Sequence, residues 1–273
     1  MSISVCANMV QAHDPDRFLS VMAAPPALRE RLLVLYAFNL EIARAPWASS
    51  EEMIAEMRLQ WWADAMSDLY NGTLHAHAVL SPLAQIIKAH DLPQPLFMAM
   101  IAARRFDIYS DGHADLGAFE GYINDTTGGL IQLAAMTLGA GSAAKPVIAN
   151  FAYGIGVANL FRALPTLYAR GRHPIPVDCA LDRNAVAKGQ VPDNLARALR
   201  DIAQDALGKM HHARQNRDKV ARAALPALLS GWQAGGVLKI VANRPENTLQ
   251  QPLETSEFYK KLSLMGRNFT KKW

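Results

Sequence analysis

Apolar residues recur along this chain at intervals of three and four, the spacing that gathers them on one face of a helix. The clearest run follows Ser49 to Glu52, an S-x-x-E pattern that predicts a capping box. After it Ile54, Met57, Trp61, Ala65 and Leu69 recur at helical spacing until Asn71-Gly72 ends the helix. The same pattern predicts helices over Pro26 to Ala43, Ser81 to His90, Gln94 to Tyr109, Leu116 to Leu138, Lys145 to Tyr168, Pro192 to Asn216 and Ala221 to Val241, with Pro and Gly mostly between them. Alternating β-branched runs are missing, so the expected fold class is all-α. No Gly/Ser-rich or Pro-rich linker divides the chain, and no unit of roughly 20–50 residues repeats, so residues 1–273 read as a single domain.

Composition narrows the class. The chain of 273 residues is 51% hydrophobic and 19% charged, which supplies a sizeable core and excludes a disordered chain. Cys6 and Cys179 are too few for a disulfide framework and have no zinc-ligand spacing, which fits a reducing cytoplasm. Met1 to Ser20 has no basic residue before Arg17 and no apolar run, so it reads as neither a secretion signal nor a transit peptide. The most apolar stretch, Pro146 to Phe161, is interrupted by asparagines and glycines and falls short of the ~20 residues a spanning helix needs, so no transmembrane helix is expected. A net charge of +4 is too mild to imply a nucleic-acid partner. Gly128-Gly129 and Gly235-Gly236 match no phosphate-binding loop, and a GxSxG elbow is missing. His211-His212 and the other histidines show no ligand spacing, and no metal is assigned to them.

Three segments in order carry a resemblance. Leu35-Tyr-Ala-Phe-Asn39 precedes Glu56-Met-Arg-Leu-Gln-Trp-Trp62; Arg104-Arg-Phe-Asp107 precedes Phe119-Glu-Gly-Tyr122 and Gly128-Gly129; and Gly154 to Arg172 reads GIGVANLFRALPTLYARGR. Together they resemble the squalene/phytoene synthase family, which implies an isoprenoid synthase-type helical bundle around a central cavity. In that family two facing helices carry Asp-x-x-x-Asp motifs, whose i and i+4 carboxylates stack on one helical face and hold Mg²⁺ against the substrate diphosphate. Here the third segment keeps Asn159, Arg162, Arg170, Gly171 and Arg172 but has Ala163 and Leu167 at the aspartate positions. The first reads Tyr36-Ala-Phe-Asn-Leu-Glu-Ile-Ala-Arg44, with Glu41 its only carboxylate. Without the metal to neutralise the leaving group the main electrostatic contribution is lost, so catalytic residues and a cofactor are not expected.

The resemblance therefore implies a degenerate member that acts by binding. Candidate residues of its remnant cavity are Tyr36, Asn39, Glu41, Arg58, Trp61, Asp107, Asn159, Arg162, Arg170 and Arg172. Arg162, Arg170 and Arg172 with His173 form a basic cluster, either an anion site or a helix end paired with Asp178 or Asp182. Adjacent Trp61 and Trp62 point about 100° apart, so at most one sits squarely in the core while the other lines the cavity or the core's edge. Glu56 and Arg58 face different ways and are expected to pair with other helices. Asp64 with Asp68 reads as a solvated face, and Asp107 with Asp111 as a structural hydrogen bond or helix end, or else a metal pair.

The branch of the family with degraded aspartates includes a mitochondrial factor needed for assembly of respiratory complex I. An assembly partner or subunit of a respiratory complex is thus implied, with an isoprenoid such as a quinone tail as an inferred ligand. The alternatives are a working prenyltransferase whose Mg²⁺ is held by Glu41, Asp107 or Asp111, and a soluble isoprenoid carrier. The tail from Phe258 to Trp273 carries Lys260, Lys261, Arg267, Lys271 and Lys272 against no acid, interleaved with aromatic and aliphatic residues. It reads either as an anchor on an anionic membrane surface or as a last helix packed on the domain. The expected location is the cytoplasm, peripheral at the inner face of the membrane if the tail anchors.

Overall fold

Helical spacing of apolar residues, with few strand formers to compete, gives an all-α chain. A computed structural model describes residues 2–49, 51–177, 181–253, 256–270 and 272–273. Its helices are α1 Ser2–His13, α2 Pro15–Met22, α3 Pro26–Arg44, α4 Glu52–Tyr70, α5 Leu80–His90, α6 Gln94–Ala103, α7 Phe106–Tyr109, α8 Leu116–Ile123, α9 Gly129–Thr137, α10 Lys145–Ala169, α11 Arg183–Ala187, α12 Asp193–Gln215, α13 Leu225–Leu229, α14 Ala234–Asn243, α15 Asn247–Gln250 and α16 Glu257–Thr270. No strand occurs among the described residues.

The departures from the sequence reading have local causes. The box at Ser49 does not form: α4 starts at Glu52 with Glu51 as its N-cap, and Ser49 Oγ instead accepts the Glu51 N–H at 3.0 Å. The helix expected over Leu116 to Leu138 is continuous but widens into a π turn at Asn124–Gly128, between α8 and α9. The one expected over Ala221 to Val241 breaks between α13 and α14. α1 and α2 were not expected. Asp14 starts α2 by accepting the Arg17 N–H at 3.0 Å, with Pro15 in the first turn where its missing N–H costs nothing.

Packing centres on α10, which lies against α9, α12, α14 and the π turn. Two glycines permit this. A Cβ at Gly154 would stand 2.3 Å from Met210 Cγ on α12, and one at Gly156 would stand 2.6 Å from Ile123 Cγ2 at the π turn. α10 with the turn before it is long and apolar enough to cross a membrane, yet 67% of its most apolar window is buried, as in the core helix of a bundle. One hydrophobic core runs from Cys6 on α1 to Trp273. Cys6 is a buried free thiol, and Cys179 lies outside the described residues.

The C-terminal tail forms α16, which packs on the domain by one face. Its inner face packs: Leu264 joins Leu229 and Trp232, and the Asn268 amide donates to the Ala23 carbonyl at 3.0 Å; beyond the helix the Trp273 ring lies 4.6 Å from Phe151. Phe258, Leu262, Met265 and Phe269 form a stripe on the outer face, Phe269 88% exposed.

The imidazole of His113 stacks on Phe106 at 3.9 Å between ring centres, and its buried Nε2 has no hydrogen-bond partner. Burial pushes its pKa down to about 4 from 6.5. As pH falls below about 6.5 the unfolded chain takes up a proton that the folded chain refuses until about pH 4, so stability is lost across that window and flat above it. The unfolding free energy of His113→Leu, relative to wild type, should rise by about 1–2 kcal/mol between pH 7 and pH 5, measured by urea titration. Gly156→Val should cost roughly 1–3 kcal/mol by the same titration, because Ile123 and the Thr127 side chain already occupy the space.

Candidate functional site

The helices enclose a cavity of about 540 Å³. α3 lends it Asn39, Leu40 and Ala43; α10 lends Ile155, Gly156, Ala158, Asn159, Arg162, Ala163 and Leu167. The π turn presents Thr126 and Thr127, α2 presents Asp16 and Arg17, Ser230, Gln233, Ala234 and Val237 stand around the start of α14, and Arg104, Asp107, Asp111, Tyr122 and Arg172 add further polar side chains. Apolar lining comes from Ile155, Gly156 and Ala158 in the middle of α10, with Ala163 and Leu167 further along it, and the charged lining from Asp14, Asp16, Arg17, Arg104, Asp107, Asp111, Arg162 and Arg172.

The charges in the wall are paired. Arg17 holds Asp14 at 2.8 Å, and Arg162 donates to Asp16 at 2.8 Å. Asp16 also accepts from Gln233 at 2.9 Å and faces Lys260 of α16 at 3.6 Å. Arg104 reaches Asp107 at 3.3 Å and the Tyr122 hydroxyl at 2.8 Å, while that hydroxyl donates to Asp107 at 2.9 Å. Burial raises the Asp107 carboxyl above its ordinary value, against the lowering pull of Arg104 and Tyr122. Arg172 donates to the carbonyls of Ser110 and Ile108, both at 2.9 Å, and stands 3.6 Å from Asp111.

Of the residues expected from sequence, Asn39, Asp107, Asn159, Arg162 and Arg172 meet in this cavity. Glu41, Arg58 and Trp61 do not; they line a second cavity of about 480 Å³ that shares only the walls Leu40 and Trp47 with the first. Trp62 is the tryptophan in the core, 3% exposed, against 40% for Trp61. Tyr36 and Arg170 line neither. Tyr36 is fully buried beneath the Arg17 guanidinium, 5.1 Å from its ring centre, and burial pushes its hydroxyl up to about 12. Arg170 lies over Trp47 at 5.0 Å.

The single basic cluster expected around Arg162 to His173 is therefore split. The partners are Asp16 and Asp111; Asp182 instead caps α11 by accepting the Ala185 N–H, and Asp178 lies outside the described residues. Glu56 does pair across helices, with Arg105 at 2.7 Å, whereas Arg58 has no ion pair among the described residues. Asp64 and Asp68 sit on a solvated face, held by Gln60 at 2.7 Å and His75 at 2.6 Å. The sequence reading missed Asp14, Asp16, Arg17 and Gln233. The Asp14-Pro15 pair was a legible helix start, but nothing local placed that helix against α10.

Magnesium does not fit this donor set. Ala163 and Leu167, at i and i+4 on α10, offer only hydrocarbon to the cavity. Glu41 faces the other cavity, Asp107 is engaged by Arg104 and Tyr122, and Asp111 by Arg172 and Arg183. Among the described residues no three His, Cys, Asp or Glu side chains converge.

The backbone is similar to that of a dehydrosqualene synthase solved in complex with ligand, with a TM-score of 0.82 at 13% identity over 99% of this chain and 96% of that one. It is also similar to squalene synthase HpnC from Alicyclobacillus acidocaldarius, with a TM-score of 0.78 at 16% identity over 92% and 95% of the two chains. The fold is thus the isoprenoid synthase-type bundle. In sequence the chain is 23% identical to the mouse protein named NADH dehydrogenase (ubiquinone) complex I, assembly factor 6, over 98% of this chain and 82% of that one. It is 24% identical to the human protein of the same name, over 82% and 69%. The squalene/phytoene synthase family model matches residues 10–259, from within α1 to the first turn of α16, and with that span this chain belongs to the squalene/phytoene synthase family.

Proposed function

We propose that this protein acts by binding, in the assembly of respiratory complex I at a membrane, and does not transfer prenyl groups. The observation that carries this reading is the pair Ala163 and Leu167: both face the cavity where the family places its metal-binding aspartates. Ionising an allylic diphosphate needs its departing negative charge neutralised, and hydrocarbon cannot do that. The names of the mouse and human relatives support the assembly role. The cavity that remains, apolar along the middle of α10, suits an isoprenoid as a bound rather than a reacting molecule.

The outer face of α16 supports membrane contact. Phe258, Leu262, Met265 and Phe269 are exposed on a helix that also exposes Lys261, with Lys272 just beyond it. Hydrophobic insertion and attraction to anionic headgroups act together on such a face. Lys260 belongs to the inner face instead, 4% exposed and 2.8 Å from Glu257. A face of this kind supports the reading of a protein peripheral at the inner surface of the membrane.

Deleting the gene in cells that encode it should lower assembled complex I several-fold on native gels, and a Glu41→Ala copy should restore it. Purified protein should give no product from farnesyl or geranylgeranyl diphosphate with Mg²⁺; magnesium-dependent turnover would sink the binding reading. For the membrane face, Lys261→Glu with Phe269→Ser should weaken binding to phosphatidylserine vesicles at least tenfold, each cation contributing about 1 kcal/mol. Unchanged sedimentation with the vesicles would remove α16 as the contact. Point variants are needed because deleting residues 258–273 also removes the packed side chains of Lys260, Leu264 and Trp273.

A further inference from the structure

We infer that the cavity takes an isoprenoid whose polar head is uncharged, a hydroxyl or a quinone carbonyl, and rejects prenyl diphosphates. The inference rests on the reading above that the cavity holds an isoprenoid, and it adds the chemistry of the head. Four arginines line the cavity, Arg17, Arg104, Arg162 and Arg172, and four aspartates line it with them, Asp14, Asp16, Asp107 and Asp111. Each arginine stands within 3.6 Å of one of those carboxylates. The wall therefore has polar texture but no surplus positive charge.

A diphosphate entering this cavity would bring several negative charges without a metal to offset them. An arginine that swung to meet it would leave its own aspartate uncompensated beside the newcomer. Both moves place like charges together in a partly desolvated space, where a broken ion pair is far more costly than one in water. A neutral head asks for neither. It needs only an uncharged donor or acceptor at the polar part of the lining.

Asn39 offers one. Its side chain is 7% exposed and lines the cavity, and its amide has no hydrogen-bond partner among the described residues. Buried amides are normally satisfied, so an open one facing a cavity marks where a ligand oxygen belongs. A carboxamide donates to a quinone carbonyl and both donates to and accepts from a hydroxyl. The prenyl chain would lie along Ile155, Gly156, Ala158 and Val237, in a volume of about 540 Å³. That is within the roughly 300–1,000 Å³ of ordinary small-molecule sites.

The test is calorimetric titration of the full chain with geranylgeraniol, with a prenylquinone of four isoprene units and with geranylgeranyl diphosphate, each with and without Mg²⁺. At least one neutral compound should bind ten or more times tighter than the diphosphate, with no effect of magnesium; the two neutral arms separate a hydroxyl head from a quinone head. Asn39→Leu should weaken that binding at least tenfold while circular dichroism shows an intact helical fold. Asp16→Asn removes the carboxylate charge facing Arg162 and should raise diphosphate affinity at least tenfold, a gain that unfolding cannot imitate. Diphosphate binding as tight as the neutral compounds in the wild type, or no gain in Asp16→Asn, overturns the inference and leaves the isoprenoid cavity standing. Failure of every prenyl compound to bind overturns both.

Discussion

The close passage of α10 through the middle of the bundle is the constraint on which the rest depends. Its closest approaches rest on missing side chains, since Gly154 and Gly156 leave the room that Met210 and the Ile123–Thr127 turn fill. Once α10 is fixed, its C-terminal third has to face α2, α3 and α7 across a gap. The cavity is that gap, and its lining follows from which α10 side chains fall there.

The electrostatics of the gap are set by how its arginines are paired. Buried or half-buried arginines are costly unless they are paired. In this chain the pairing is internal: Asp16 answers Arg162 from α2, and Asp107 answers Arg104 from one turn along. The aspartates come from helix starts and loops rather than from the stacked i, i+4 positions of α10, which are hydrocarbon. The gap's arginines and aspartates balance one another, and among the described residues no three metal-ligating side chains converge.

How much of this was legible in the sequence depended on whether the cause was local. Helices α3, α4, α5, α10 and α12 follow from periodicity to within a residue or two at most ends. That Ala163 and Leu167 share a face was equally plain, because an i, i+4 pair on one helix falls on one face whatever surrounds it. Partners set by tertiary packing were not legible. Nothing in the spacing of residues 13–17 said that Asp16 would meet Arg162 across 146 positions of chain. The separation of Glu41 from Asp107 into different cavities likewise depended on how α3 turns against α4, which periodicity alone cannot phase. The tail has apolar residues on two faces, Leu264 on one and Phe258, Leu262, Met265 and Phe269 on the other, so its periodicity does not say which face is covered.

The π turn at Asn124–Gly128 has a consequence for the helix that follows it. A wider turn inserts extra length into an otherwise regular helix, and each residue added or removed rotates everything downstream by about 100°. Leu130, Ile131, Leu133 and Ala134 of α9 are buried, so reverting the turn to an ordinary one would swing this whole buried set off the core at once. No single substitution repairs such a rotation. Five residues, Asn124–Gly128, thus decide which face of the whole following helix meets the core.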